Sequence, residues 1–333
     1  MAVAKADGGL WPSSTYEERG RVMHSIRRRL LAPVTATALA ASLGVSLTAG
    51  PAGASTGSGW EGASPVAAVN DPVAADGCPI ESPSGKALFF ASVRGEGGDN
   101  DIWMATRSST QAEFGAPVIL PAPVNSDAQD FCPTPLRHGK LLFVSTRGGT
   151  DAYGTASCGL GDIYLTHRNW KTGTWAEPRN LGCAPDGPNG AGMEYGPSLV
   201  KTKAGIGLHF SSGDPIGAGT QDIYRSMLGR HGQFGAPTPV SELNVVGYDD
   251  FMPNVSADGR EIVFASSRPG GFGATDIYTS TRRCAAAAWD TPLNLGPTVN
   301  TEAGESRPSL SGDGSRLYFG RSGDIYVSQR VFR

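Results

Sequence analysis

Residues 253–278 read Pro253-Asn-Val-Ser-Ala-Asp258-Gly259-Arg-Glu-Ile-Val-Phe264-Ala-Ser-Ser-Arg268-Pro-Gly-Gly-Phe-Gly-Ala-Thr-Asp276-Ile277-Tyr278. A short extended run follows Pro253. Asp258-Gly259 then stands between two apolar runs, a strong signal for a tight hairpin. The second run ends at Phe264, a glycine-rich loop follows, and a third strand begins at Asp276-Ile277-Tyr278. This reading decides the fold, because the rest of the chain repeats it.

The Asp-Ile-Tyr/Trp tripeptide recurs at Asp101, Asp162, Asp222, Asp276 and Asp324, at spacings of 61, 60, 54 and 48 residues. Upstream of each lies a strand ending in Phe90, Phe143, Phe210, Phe264 or Phe319. Before that come a glycine turn and a proline: Pro79, Pro133, Pro197, Pro253 and Pro308. Downstream, an aromatic residue and a proline mark a fourth short strand, as in Phe114/Pro117, Trp175/Pro178, Phe234/Pro237 and Trp289/Pro292. Four-stranded units of this length predict propeller blades. With strands named A to D, the fifth unit stops after strand C, whereas Trp60 to Asn70 read as a lone strand D. The prediction is an all-β, five-bladed propeller over 60–333, its last blade completed by the N-terminal strand. Such closure leaves no sheet edge open.

The quoted run resembles the PD40 (WD40-like) repeats of TolB-type propellers. That resemblance covers residues 60–333. It implies an extracytoplasmic propeller with a binding role, and it carries no activity with it.

Residues 1–54 read as an export signal, with Met23 as an alternative start. Arg27, Arg28 and Arg29 precede an uncharged stretch from Leu30 to Leu47, and Ala52-Gly53-Ala54 offers a cleavage site before a short linker at 55–59. The expected location is secreted, with no stable membrane anchor. Net charge is −3, and without residues 1–54 there are 22 basic and 28 acidic residues. This gives no electrostatic case for nucleic acid, and a monomer is expected. The five cysteines all follow the signal, where disulfides can form. Cys158 and Cys183 are expected to pair on one face of blade 2. Cys78 and Cys132, at equivalent positions in adjacent blades, could pair across the channel rim, and Cys284 is expected to be free.

Candidate chemistry sits on the face of the D–A and B–C loops. Three residues before each strand-A proline is a carboxylate: Asp76, Asp130, Glu194, Asp250 and Glu305. An Asn precedes each (Asn70, Asn125, Asn189, Asn244, Asn300), and Arg94, Arg147, Arg268 and Arg321 fall near the B–C loops. Repetition in every blade favours structural pairing of carboxylate with Arg. Blade 3 departs from the repeat, because Asp214 follows Phe210 where other blades carry Arg. Glu194 and Asp214 are therefore the first candidates, either for Ca²⁺ or as an acid/base pair. Asp130 and Asp250 flank them, and Phe131, Tyr195 and Phe251 offer a platform for a sugar or peptide.

No metalloprotease or serine-hydrolase motif is present. The sequence-based expectation is a secreted binding module that recognises a glycan, peptide or protein at the channel mouth. The alternative is an extracellular polysaccharide-cleaving enzyme, a glycoside hydrolase or lyase, using the acidic residues there.

Overall fold

The computed structural model describes residues 59–95 and 97–331. The expected export signal lies outside the described residues. Among those described, no helix is long and apolar enough to cross a membrane.

Strand β1 (Ser64–Pro65) precedes five repeated groups. The first is β2 (Asp76–Glu81), β3 (Ala87–Ser92), β4 (Asp101–Thr106) and β5 (Val118–Ile119). The second is β6 (Asp130–Pro135), β7 (Lys140–Ser145), β8 (Asp162–His167) and β9 (Arg179–Asn180). Blade 3 holds β10 (Met193–Thr202), β11 (Gly205–Gly213), β12 (Asp222–Met227) and β13 (Thr238–Pro239). Blade 4 holds β14 (Asp250–Val255), β15 (Glu261–Ser266), β16 (Asp276–Thr281) and β17 (Leu293–Asn294). β18 (Glu305–Leu310), β19 (Arg316–Arg321) and β20 (Asp324–Gln329) complete the series. Five antiparallel four-stranded sheets result, and the fifth takes β1 as its outer strand. Ser64 stands opposite Val327 and Pro65 opposite Tyr326. Trp60 bridges to Arg330, whose guanidinium lies 4.2 Å from the indole. The predicted closure and blade count are thus observed.

The repeated residues explain the blade. The Phe of strand B stacks on the Tyr of strand C at 6.0 Å for Phe143–Tyr164 and 6.1 Å for Phe264–Tyr278. Each repeat Asn clamps the Ile of the preceding Asp-Ile-Tyr. Asn125 Oδ1 accepts from Ile102 N at 2.8 Å and its Nδ2 donates to Ile102 O, and Asn70, Asn189, Asn244 and Asn300 do the same for Ile325, Ile163, Ile223 and Ile277. These bonds satisfy buried backbone groups where strand C leaves the sheet ladder.

Every strand A carries a register shift just before its proline, as between Tyr195 and Ser198 in blade 3. The residue at each bulge has positive φ: Cys78 50°, Cys132 47°, Gly196 58°, Met252 53° and Arg307 46°. Bulges re-aim side chains, and here they gather five of them from five blades. Cys78 and Cys132 are joined as a disulfide between blades 1 and 2. Arg307 crosses to the opposite strands, donating to Thr134 Oγ1 at 3.0 Å, Pro253 O at 3.4 Å and Pro197 O at 3.5 Å. The channel is therefore filled by side chains.

Candidate functional site

Four of the five ring carboxylates are tied to arginines. Asp130 pairs with Arg147 at 2.6 Å and Glu305 with Arg321 at 2.8 Å, and Asp76 and Asp250 pair with Arg94 and Arg268. Each of these arginines also lies over the Phe and the Tyr or Trp of its own blade, as Arg147 does at 5.2 Å from Phe143 and 5.3 Å from Tyr164. The carboxylates are fully buried, and each also accepts from the turn before it, as Asp130 Oδ2 does from Ser126 N. Desolvation of an ion is offset here by a cation and by hydrogen bonds together. Asp130 and Asp250 thus belong to four equivalent structural clamps.

Blade 3 has no such arginine. Glu194 is fully buried, and its Oε1 accepts from Gly190 N at 2.9 Å and Ser212 Oγ at 2.8 Å. Its Oε2 is buried without a hydrogen-bond partner. Burial is the main cause that pushes its carboxyl up to about 8, with the charge of Asp162 adding to it. Glu194 therefore carries a proton at neutral pH, because an ionised carboxylate there would be desolvated with no cation against it.

The neighbouring carboxylate is Asp162, not Asp214. Glu194 N donates to Gly161 O at 3.0 Å, which brings strand C of blade 2 beside strand A of blade 3. Asp162 Oδ2 accepts from Cys158 N and Asn180 Nδ2, while its Oδ1 is buried without a partner. Burial pushes its carboxyl above the usual carboxylate range too. Asp214 is exposed and turns to Thr220 Oγ1, which donates to its Oδ2 at 3.3 Å. Its own carbonyl and that of Met193 both accept from Gln221 Nε2, so the Asp214 loop rests beside the Glu194 strand without joining the two carboxylates. Among the described residues, no three His, Cys, Asp or Glu side chains cluster as metal ligands.

Phe131, Tyr195 and Phe251 are buried, 4%, 1% and 1% exposed, and Phe131 packs on Tyr195 at 5.8 Å between ring centres. They pack in one buried core cluster rather than as an open platform. His209 is also buried; burial and the charges of Arg282 and Arg225 hold its imidazole down to about 3, so it is neutral.

The cover over Glu194 is backbone. Gly190 lies against its carboxyl, where a Cβ would sit 3.4 Å from both Glu194 Oε1 and Ser212 Oγ, and Gly192 packs on the backbone of Gly213. Gly159 packs against this segment so closely that its Cβ would lie 2.5 Å from Gly190 O and Gly192 O. The Cys158–Cys183 disulfide ties the same loops together, and Cys284 is free and exposed. The pairing follows the sequence-based expectation, and two disulfides fit an oxidising compartment.

Sequence reasoning singled out Glu194 but passed over its neighbour. Asp162 holds its turn by accepting from Cys158 N, and it is also near enough across the blade boundary for its charge to act on Glu194. The signal was available, since strand C of one blade abuts strand A of the next.

No protein-family model matches the chain, and no curated protein matches it. Solved structures do. The catalytic domain of a Coprinopsis cinerea GH62 α-L-arabinofuranosidase is similar with a TM-score of 0.54 at 12% identity, over 81% of this chain and 96% of its own. The endo-arabinase of Bacteroides thetaiotaomicron VPI-5482 is similar with a TM-score of 0.53 at 13% identity, over 81% and 96% respectively. At such identity the likeness is one of fold. The expectation of a secreted binding module is corrected in so far as these neighbours favour its alternative, the polysaccharide-cleaving enzyme. Both of these propellers carry the names of glycan-cleaving enzymes, which stand with the alternative reading rather than with the expected binding module.

Proposed function

We propose that the chain is a glycoside hydrolase acting on arabinose-containing polysaccharide, with Glu194 as general acid and Asp214 as the second carboxylate. The observation that carries this reading is Glu194 itself. It is the one ring carboxylate without an arginine among five, and it holds its proton to about pH 8. Glycoside hydrolysis requires such a pair, one carboxyl kept protonated and one carboxylate able to take a proton from water. The names of the fold's solved relatives supply the substrate class.

In this mechanism Glu194 gives its proton to the glycosidic oxygen as the bond from that oxygen to the anomeric carbon breaks. Water adds to the anomeric carbon and yields its proton to Asp214, which is exposed on the loop beside the Glu194 strand and leaves Thr220 Oγ1 to take it; the pair needs no mutual contact, since the water stands between them. The glycine segment 190–192 must move aside for Glu194 to reach substrate, and its backbone bond to Oε1 from Gly190 N is what opens. Two finer readings travel with the proposal: the repeat is of PD40 type, and the chain is exported and processed after Ala54.

The test is release of reducing sugar from arabinan by the purified protein, with Glu194→Gln beside it. Release by the wild type and its loss in the variant support the reading. A wild type that releases nothing from arabinan or from arabinose-substituted xylan removes it.

A further inference from the structure

The opposite face of blade 2 carries an unneutralised basic edge. The A–B turn contributes Arg137, His138 and Lys140, and the end of β8 with its hairpin contributes His167, Arg168 and Lys171. All six are exposed. Among the described residues, none of the four cations Arg137, Lys140, Arg168 and Lys171 has a carboxylate partner; the Arg168 guanidinium donates to Gly173 O, at 2.9 Å. This concentration stands out on a chain of net charge −3. The two acidic residues between positions 137 and 171, Asp151 and Asp162, hold loops on the other face.

Beside the cations runs a groove of about 660 Å³ between blades 1 and 2. Its walls are Phe89, Met104, Val118, Ile119, Leu136 and Trp175, and no acidic side chain lines it. Val118 is 61% exposed. At the tip of the hairpin, Trp170 is 86% exposed, with Lys171 Nζ 5.3 Å from its ring centre. An exposed Trp gains little by folding there, and its flat face beside cations matches a sugar ring that bears a carboxylate.

We propose that this edge is an accessory binding site for an acidic polysaccharide, a chain bearing uronate carboxylates, that lies along the groove and stacks a ring on Trp170. The cations would pair with successive carboxylates, and the apolar wall would take the C–H faces of the sugars. Binding would anchor the protein on its polymer while leaving the channel-mouth face free. The site stands independently of the hydrolase reading, since it uses none of the same residues.

The test measures binding of the full-length protein to polygalacturonate, to neutral arabinan and to poly-glutamate. Variants are the triple Arg137→Ala/Lys140→Ala/Lys171→Ala and, separately, Trp170→Ala. These side chains are exposed, so the melting temperature should stay within about two degrees of wild type. Polygalacturonate should bind and weaken as salt rises, and each variant should weaken it at least about tenfold. Wild type that fails to bind polygalacturonate, or a triple variant that binds it unchanged, overturns the proposal. Equal binding of poly-glutamate that ignores Trp170→Ala also overturns it, in favour of an acidic peptide. Sugar release from a short arabino-oligosaccharide, scored in the same samples, separates failure here from failure of the hydrolase reading.

Discussion

Arg307 occupies the space that Gly196 leaves by having no side chain: a Cβ on Gly196 would come 2.6 Å from Arg307 Nη1 and 2.5 Å from Met252 Cα. The two residues hold the same bulge position in blades 5 and 3, both at positive φ. A guanidinium can cross the channel only because one of the five positions is empty. Gly196→Ala should therefore destabilise the fold by about 2–4 kcal/mol, since it combines overpacking against backbone with a strained φ. Equilibrium urea unfolding gives the number, and a change under about 0.5 kcal/mol would show that the channel is looser than described.

Arg307 itself is fully buried with no carboxylate against it, and burial lowers its guanidinium to about 9. Arg307→Met keeps most of the volume and removes a desolvated charge. Thr134 Oγ1 keeps a bond of its own, donating to Pro197 O at 2.5 Å. Stability should be unchanged or higher, by up to about 2 kcal/mol. A loss greater than about 2 kcal/mol would mean that the cation is compensated by something further in the channel.

Glu194 makes stability depend on pH. In the unfolded chain its carboxyl loses its proton near the ordinary 4.5, whereas in the folded chain it keeps the proton to about 8. The folded state thus binds more protons between those values, and stability falls as pH rises across that window. The contribution is complete below pH 4.5 and gone above pH 8, at a slope approaching about 1.4 kcal/mol per pH unit. Glu194→Gln should flatten the curve by that amount. A slope equal to wild type would show that Glu194 is not the group that retains the proton.

Ring closure rests on few residues. Deleting 59–70 removes β1, the Trp60–Arg330 stack and the Asn70 clamp on Ile325. It leaves the edge of β20 open, so cooperative unfolding should be lost or its midpoint lowered by at least about 10 °C. Calorimetry that shows the same transition with and without this segment would refute closure by the N-terminal strand.

The Cys158–Cys183 bridge closes a span of 25 residues, and in the chain-entropy estimate its reduction should cost about 3 kcal/mol. Cys158→Ser/Cys183→Ser should show that loss in urea unfolding. The loops it ties also cover Glu194, so proteolysis near Gly190–Gly192 should quicken in the double variant, and unchanged cleavage would place the cover's rigidity elsewhere.

The blade was legible in the sequence because each of its parts is local. Asp-Gly turns, the Phe and Tyr that stack, and the Asn that clamps Ile all act within one repeat. The missing arginine after Phe210 was legible for the same reason, since a break in a repeat shows against its copies. The rest required knowing what meets across blade boundaries. Asp162 reaches Glu194 from the neighbouring blade, and Asp214, adjacent by sequence logic, turns away to Thr220. The channel filling was hidden too. Cys78, Cys132, Gly196, Met252 and Arg307 share a repeat position but no chemistry, and only the bulge before each proline aims them at one axis.

The most direct measurement is kcat/KM on an arabino-oligosaccharide as a function of pH, which reports the acid of the free enzyme. With Glu194 as that acid, the rate should hold up to neutral pH and fall on an alkaline limb centred near pH 8, and Glu194→Gln should lose at least about a hundredfold. No turnover at any pH, or an alkaline limb that survives unchanged in Glu194→Gln, would contradict it.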